Sequence, residues 1–244
     1  MAGKDLVFTV NETDINFATG NFTSQKPVLN KYYPILAAEM GLSIFCSTAL
    51  IFVYIIIGEH RTVPGKNVIS ISLCLIITYI MLTIDLLMRN NLSHALCMVV
   101  GVIVQTTFLA TFFWTNVMSY DIMITMASVK SDAITTFKYW KYSVYAWTMT
   151  LLCVVPAVVV DNIDEIPNEY KPRFGVKKCW ISGQLAFLIY LNAPVGVTLT
   201  ANCVFFILTA KTIIKVRRST AILATNRHKK RYSSLHFYEI CDEL

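Results

Sequence analysis

Residues 95–119 read ALCMVVGVIVQTTFLATFFWTNVMS, a run without one Asp, Glu, Lys or Arg. A bilayer core about 30 Å thick takes roughly 20 consecutive apolar residues as one helix, so this run is long enough to cross it. With the less apolar turns that follow, the segment extends over 95–126. Four further runs flank it, at 35–58, 68–88, 142–160 and 185–214. The last two each carry a proline, Pro156 and Pro194, which membrane helices tolerate because neighbours re-satisfy the freed backbone groups. Of the 244 residues 55% are hydrophobic and 15% charged, against roughly a quarter charged in soluble domains. A water-soluble protein does not fit this composition. The predicted fold is an all-α transmembrane bundle of five spanning helices over 35–214, with 1–34 as an extracellular N-terminal segment and 215–244 as a cytoplasmic basic tail.

Orientation follows from charge. Of the 21 Lys and Arg residues, eight fall in the segments sharing a side with the N-terminus and thirteen in those sharing a side with the C-terminus. Basic residues collect on the cytoplasmic side, which predicts an outside N-terminus. The three Asn-x-Ser/Thr sequons, at Asn11, Asn21 and Asn91, all lie on the side assigned as extracellular and are candidate glycosylation sites. No apolar leader precedes a small-residue cleavage site at the start, so the first spanning helix is expected to act as the insertion signal.

Seven cysteines sharpen this picture. Cys46, Cys74, Cys153 and Cys203 lie inside spanning runs and Cys241 lies in the tail, leaving Cys97 and Cys179 outside. In an oxidising compartment a bridge between these two is the natural pairing, with two free thiols as the alternative. The connection 161–182 is the one long one, polar and carrying Pro167, Pro172 and Gly175, which suits an ordered loop pinned near Cys179.

Ionisable groups in membrane segments are expensive and invite a functional reading. Glu39 and Asp85 sit close to the extracellular boundary, where a solvated role is expected. Asp121, near the inner end of the third run after Asn116 and Tyr120, is the candidate polar switch together with Asn116, set against a merely interfacial role. Trp140 and Trp180 fall at helix ends, where an amphipathic ring is comfortable at headgroup level, and Trp114 and Trp147 are expected to pack. All four histidines lie in loops or the tail, and neither a metal-ligand spacing nor a Gly-rich phosphate loop is present, so no enzyme, cofactor, metal or nucleic-acid partner is expected. Lys211, Lys215, Arg217 and Arg218 make the inner end of the fifth helix a candidate contact for anionic lipid or an acidic protein surface.

The stretch Phe112-Phe113-Trp114-Thr115-Asn116-Val117-Met118-Ser119-Tyr120-Asp121-Ile122 resembles the third helix of Methuselah-like G-protein-coupled receptors, a branch related to the secretin and adhesion receptors. Pro64-Gly65-Lys66 resembles their first intracellular loop, and Tyr142-Ser143-Val144-Tyr145-Ala146-Trp147 their fourth helix. Lys171-Pro172-Arg173-Phe174-Gly175 with Cys179-Trp180-Ile181 resembles their second extracellular loop, and Asn202 through Ala210 the inner half of their fifth helix. These matches run in order from about residue 35 to residue 231. The resemblance implies a plasma-membrane receptor that couples an extracellular ligand to heterotrimeric G proteins, its five helices corresponding to helices one to five of seven. It also supports the bridge between Cys97 and Cys179.

Two departures shape the expectation. Met118 stands where secretin receptors carry an acidic residue, so their central polar network is not carried over. After Arg231 no further apolar run follows, so helices six and seven have no counterpart in these residues. A chain lacking both is expected not to activate a G protein by itself, and to modulate a full-length receptor chain if it pairs with one. A small transporter or channel subunit is the alternative, disfavoured because the helices show no internal repeat.

Overall fold

The computed structural model describes residues 26–88, 91–127, 135–176 and 178–242, with side chains over 34–88, 91–127, 137–176 and 178–218. Helix α1 spans Lys26–Ile57, α2 Val63–Met88, α3 His94–Ala127 and α4 Thr135–Asn162. The fifth helix, α5, begins as Gln184–Phe187, widens into a π turn over Leu188–Asn192 and continues as Ala193–Asp242. The result is an all-helical bundle in which five helices are long and apolar enough to cross a membrane.

Helix α3 is the centre of the bundle, in contact with α2, α4 and α5, while α1 packs on α2. Leu109, Ala110, Phe113, Trp114 and Val117 of α3 are buried and form one core with Cys74 of α2 and Ala146 and Val154 of α4. Apolar residues on the outer faces stay exposed, Phe45 of α1 and Phe206 of α5 among them. This inverted exposure is what hydrocarbon as solvent requires, since lipid tails do not penalise an exposed Leu or Phe. Trp114 packs as the sequence led us to expect, stacked on Tyr139 at 5.7 Å between ring centroids.

The entry to α2 shows why the Pro64-Gly65 pair stands there. Gly58 turns the chain at φ 83°, a conformation that favours glycine, and a 3-10 turn over Glu59–Arg61 follows. The Thr62 hydroxyl oxygen then accepts the Gly65 N–H at 3.1 Å as an N-cap. Pro64 falls within the first turn, where its missing N–H would have had no helical acceptor. A Cβ on Gly65 would come within 1.9 Å of the Glu59 carbonyl oxygen, so only glycine lets the turn fold back this tightly.

The long connection between α4 and α5 is folded onto the bundle. The Asp161 carboxylate, in the last turn of α4, accepts the backbone N–H groups of Arg173 at 2.6 Å and Phe174 at 3.2 Å. Arg173 takes a left-handed conformation at φ 56° and Gly175 another at φ 76°. Ser182 N–H donates to the Pro172 carbonyl at 2.8 Å, closing the loop on itself. Phe174, Cys179 and Ile181 are thereby fully buried.

Candidate functional site

Two polar assemblies lie at opposite ends of α3. At the Cys97 end, Cys97 at the first turn of α3 is joined in a disulfide to Cys179 of the α4–α5 loop. The loop lies directly on the helix, because a Cβ at Gly101 would fall 1.9 Å from the Cys179 carbonyl oxygen. Asp85, in the last turn of α2, accepts the Cys179 N–H at 3.1 Å and is buried. The expectation of a solvated Asp85 is therefore corrected. The loop covers the carboxylate, and a backbone amide replaces part of the water it would have had. The Asp85 carboxylate and the Cys97 and Cys179 sulfurs fall within 4.8 Å of one another. With both sulfurs in a disulfide neither is a thiolate, so this is not a metal-binding set.

The next residue turns inward as well. Trp180 does not sit as an interfacial anchor: its indole N–H donates to Gln105 Oε1 at 2.7 Å, and its ring packs edge-on against Phe108 and Phe187. The expectation that it rests at headgroup level fails because a fully buried glutamine on α3 offers the indole an acceptor. Gln105 also donates from Nε2 to the Tyr190 carbonyl of α5 at 2.8 Å. Sequence reading passed over Gln105, although it is the one amide side chain in the upper half of an otherwise apolar run.

At the Asp121 end, the two candidate switch residues reach one face of α4. Asp121 is buried and pairs with Lys138 Nζ at 2.6 Å, while the Tyr142 hydroxyl donates to the same carboxylate at 2.9 Å. Asn116, one and a half turns earlier, accepts from the Tyr145 hydroxyl at 3.1 Å and donates to Asn202 Oδ1 of α5 at 3.0 Å. The Tyr120 ring lies between Tyr142 and Phe205. Asn116 and Asp121 thus do not touch each other. They meet Tyr145 and Tyr142, three residues apart and so neighbours on the surface of α4. These ties join α3, α4 and α5 through four uncharged polar side chains and one ion pair, in a region where unpaired polar groups are costly.

The remaining candidates stay outside the two assemblies. Lys211, Lys215, Arg217 and Arg218 are exposed along α5, and Asn91 and Glu39 are exposed. Asn11 and Asn21 lie outside the described residues.

A bundle of membrane-length helices, with a disulfide-held loop over one end of a central helix and polar ties at its other end, is a multi-pass membrane protein. The sequence pattern of the 7 transmembrane receptor (Secretin family) matches residues 30–237, and the chain belongs to that family. Its relatives include the G-protein coupled receptor Mth of Drosophila melanogaster, 28% identical over 226 residues that cover 88% of this chain and 43% of that protein. The probable G-protein coupled receptor Mth-like 11 of the same species is 26% identical over 200 residues, covering 80% and 38%. The G-protein coupled receptor Mth2 of Drosophila yakuba is 26% identical over 234 residues, covering 93% and 42%. The chain spans about two fifths of the length of the curated relatives it matches.

Proposed function

We propose that the protein is a Methuselah-like receptor of the plasma membrane, taking an extracellular ligand at the Cys97 end and passing the signal to a heterotrimeric G protein at the Asp121 end. The observation that carries this is the pair of polar ties from Asn116 and Asp121 of α3 to α4 and α5, in a chain of the secretin family. The excess of Lys and Arg in the even-numbered connections and tail supports an outside N-terminus and an inside C-terminus. On that orientation 1–34 is extracellular, 35–214 is the bundle and 215–244 is cytoplasmic, and Asn11, Asn21 and Asn91 are open to glycosylation. Asn116 and Asp121 are then the polar switch. Breaking their ties would let α5 and α4 move against α3 where the G protein docks. Lys211, Lys215, Arg217 and Arg218 offer that partner, or anionic inner-leaflet lipid, a positive surface.

The test is nucleotide exchange on a panel of G proteins, in membranes from cells that lack related receptors and express the gene's full product. Exchange above the empty-vector level, altered in either direction by Asp121→Asn, is the expected result. A flat response across the panel with the protein verified at the surface overturns the reading.

A further inference from the structure

Helix α5 has a break in its hydrogen-bond ladder that α3 fills. In an α-helix the carbonyl of residue 190 takes its bond from the N–H of residue 194, and residue 194 is a proline. Pro194 lies just past the π turn Leu188–Asn192, so the Tyr190 carbonyl lacks the donor four residues on, in a turn that is already widened. The Gln105 side-chain amide supplies a donor, Nε2 to the Tyr190 oxygen at 2.8 Å. Its other atom, Oε1, holds the Trp180 indole N–H at 2.7 Å. One fully buried side chain therefore ties the loop to the weak point of α5.

Below that point α5 is held to α3 by Asn202 on Asn116, at 3.0 Å. Pro-containing and π turns are where membrane helices bend, because the ladder there has fewer bonds to break. Above it, Trp180 is wedged between Phe108 of α3 and Phe187 of α5 and directly follows Cys179 of the Cys97–Cys179 bridge.

We propose that Gln105 is the pin of a hinge in α5. With Trp180 seated, the Gln105 amide is oriented to hold the Tyr190 carbonyl, and α5 below Pro194 stays against α3. When the loop lifts Trp180 away, Gln105 loses the bond that fixes its rotamer, the Tyr190 carbonyl is released, and the lower part of α5 swings off Asn116. Gln105 is a positioning residue, acting through Tyr190 on a contact three turns away. Only the use of this movement, to convert loop occupancy into a change at the Asp121 end, rests on the receptor reading.

The experiment is cysteine cross-linking in membranes carrying the whole 244-residue chain with Cys203→Ser. Tyr120→Cys with Phe205→Cys, a neighbouring contact between α3 and α5 that leaves the Asn116–Asn202 bond in place, reports the closed state, read by mass spectrometry as the peptide pair joined by a short thiol-specific cross-linker. Gln105→Met removes both bonds at nearly constant volume, and Trp180→Phe keeps the ring packing but deletes the N–H. Each is expected to lower the cross-link yield, by about fivefold for the loss of one hydrogen bond in a two-state element. Pro194→Ala restores a helical donor to the Tyr190 carbonyl, so in that background Gln105→Met should have little effect. An unchanged yield in both single variants overturns the hinge, as does an equal effect of Gln105→Met with and without Pro194. Should Gln105→Met fail to form the Cys97–Cys179 bridge, Trp180→Phe alone decides. No ligand or G protein enters this measurement, so its failure leaves the receptor reading standing, and a flat exchange assay leaves the hinge standing.

Discussion

Asp85 and Asp121 are both buried carboxylates, and each is tied to a neighbouring element. Asp121 has a cation on it, Lys138 at 2.6 Å with 37% of its side chain exposed, and a phenol besides. Asp85 takes a backbone amide from the loop it supports. Removing one partner of a buried pair costs more than removing the charge, because the orphaned group keeps its desolvation penalty. Lys138→Met is therefore expected to lower the melting temperature of the detergent-solubilised protein more than Asp121→Asn does, by on the order of 1–2 kcal/mol after discounting for the exposed lysine. Equal shifts would mean that the carboxylate left without its lysine carries no added desolvation penalty. Asp85→Ala leaves the Cys179 N–H without its acceptor, at about 1–3 kcal/mol, and should speed reduction of the Cys97–Cys179 bridge in native membranes. Asp85→Asn, which keeps an acceptor oxygen, should stay close to the parent rate. Sequence inspection expected Asp85 to be solvated, and the structure buries it: distance from the membrane boundary was the only depth cue, and it cannot report a loop folding back over a helix end.

At the scale of elements, glycine and proline positions carry most of the argument. Gly101 exists so that the loop backbone at Cys179 can lie on α3, and the helix itself needs no glycine there. Gly101→Ala is expected to push the loop off α3, costing about 1–3 kcal/mol as overpacking does. Proteolysis of the loop in intact cells would read this as faster cleavage, and an unchanged rate would show that the loop yields without harm. Thr62→Ala removes the cap of α2 and should cost about 1 kcal/mol, read as a lowered melting temperature with the helix content retained. The helical runs themselves were legible from hydropathy, since the solvent decides them. The π turn was not: Pro194 signals a local break but does not say whether a kink, a bulge or a neighbour's side chain accommodates it.

For the whole molecule, orientation is the prediction on which the functional reading depends. Protease added to intact cells should remove an N-terminal tag and spare a C-terminal one, and the reverse result overturns the assignment of both ends. The five spanning helices and the all-helical class were determined by the sequence alone. Hydrocarbon cannot satisfy a bare peptide group, so a long uncharged run has one stable form, and that form needs no knowledge of its neighbours. Family membership was equally legible, because it rests on short ordered motifs such as Pro64-Gly65-Lys66 and Cys179-Trp180-Ile181. What only the tertiary structure decided is which polar groups meet. Gln105 with Trp180 and Tyr190, Asn116 with Asn202, and Asp121 with Lys138 lie 75, 85, 86 and 17 positions apart in the chain. No periodicity encodes such pairings. They are fixed by how three helices pack around α3, where each buried donor must find an acceptor because the membrane offers none.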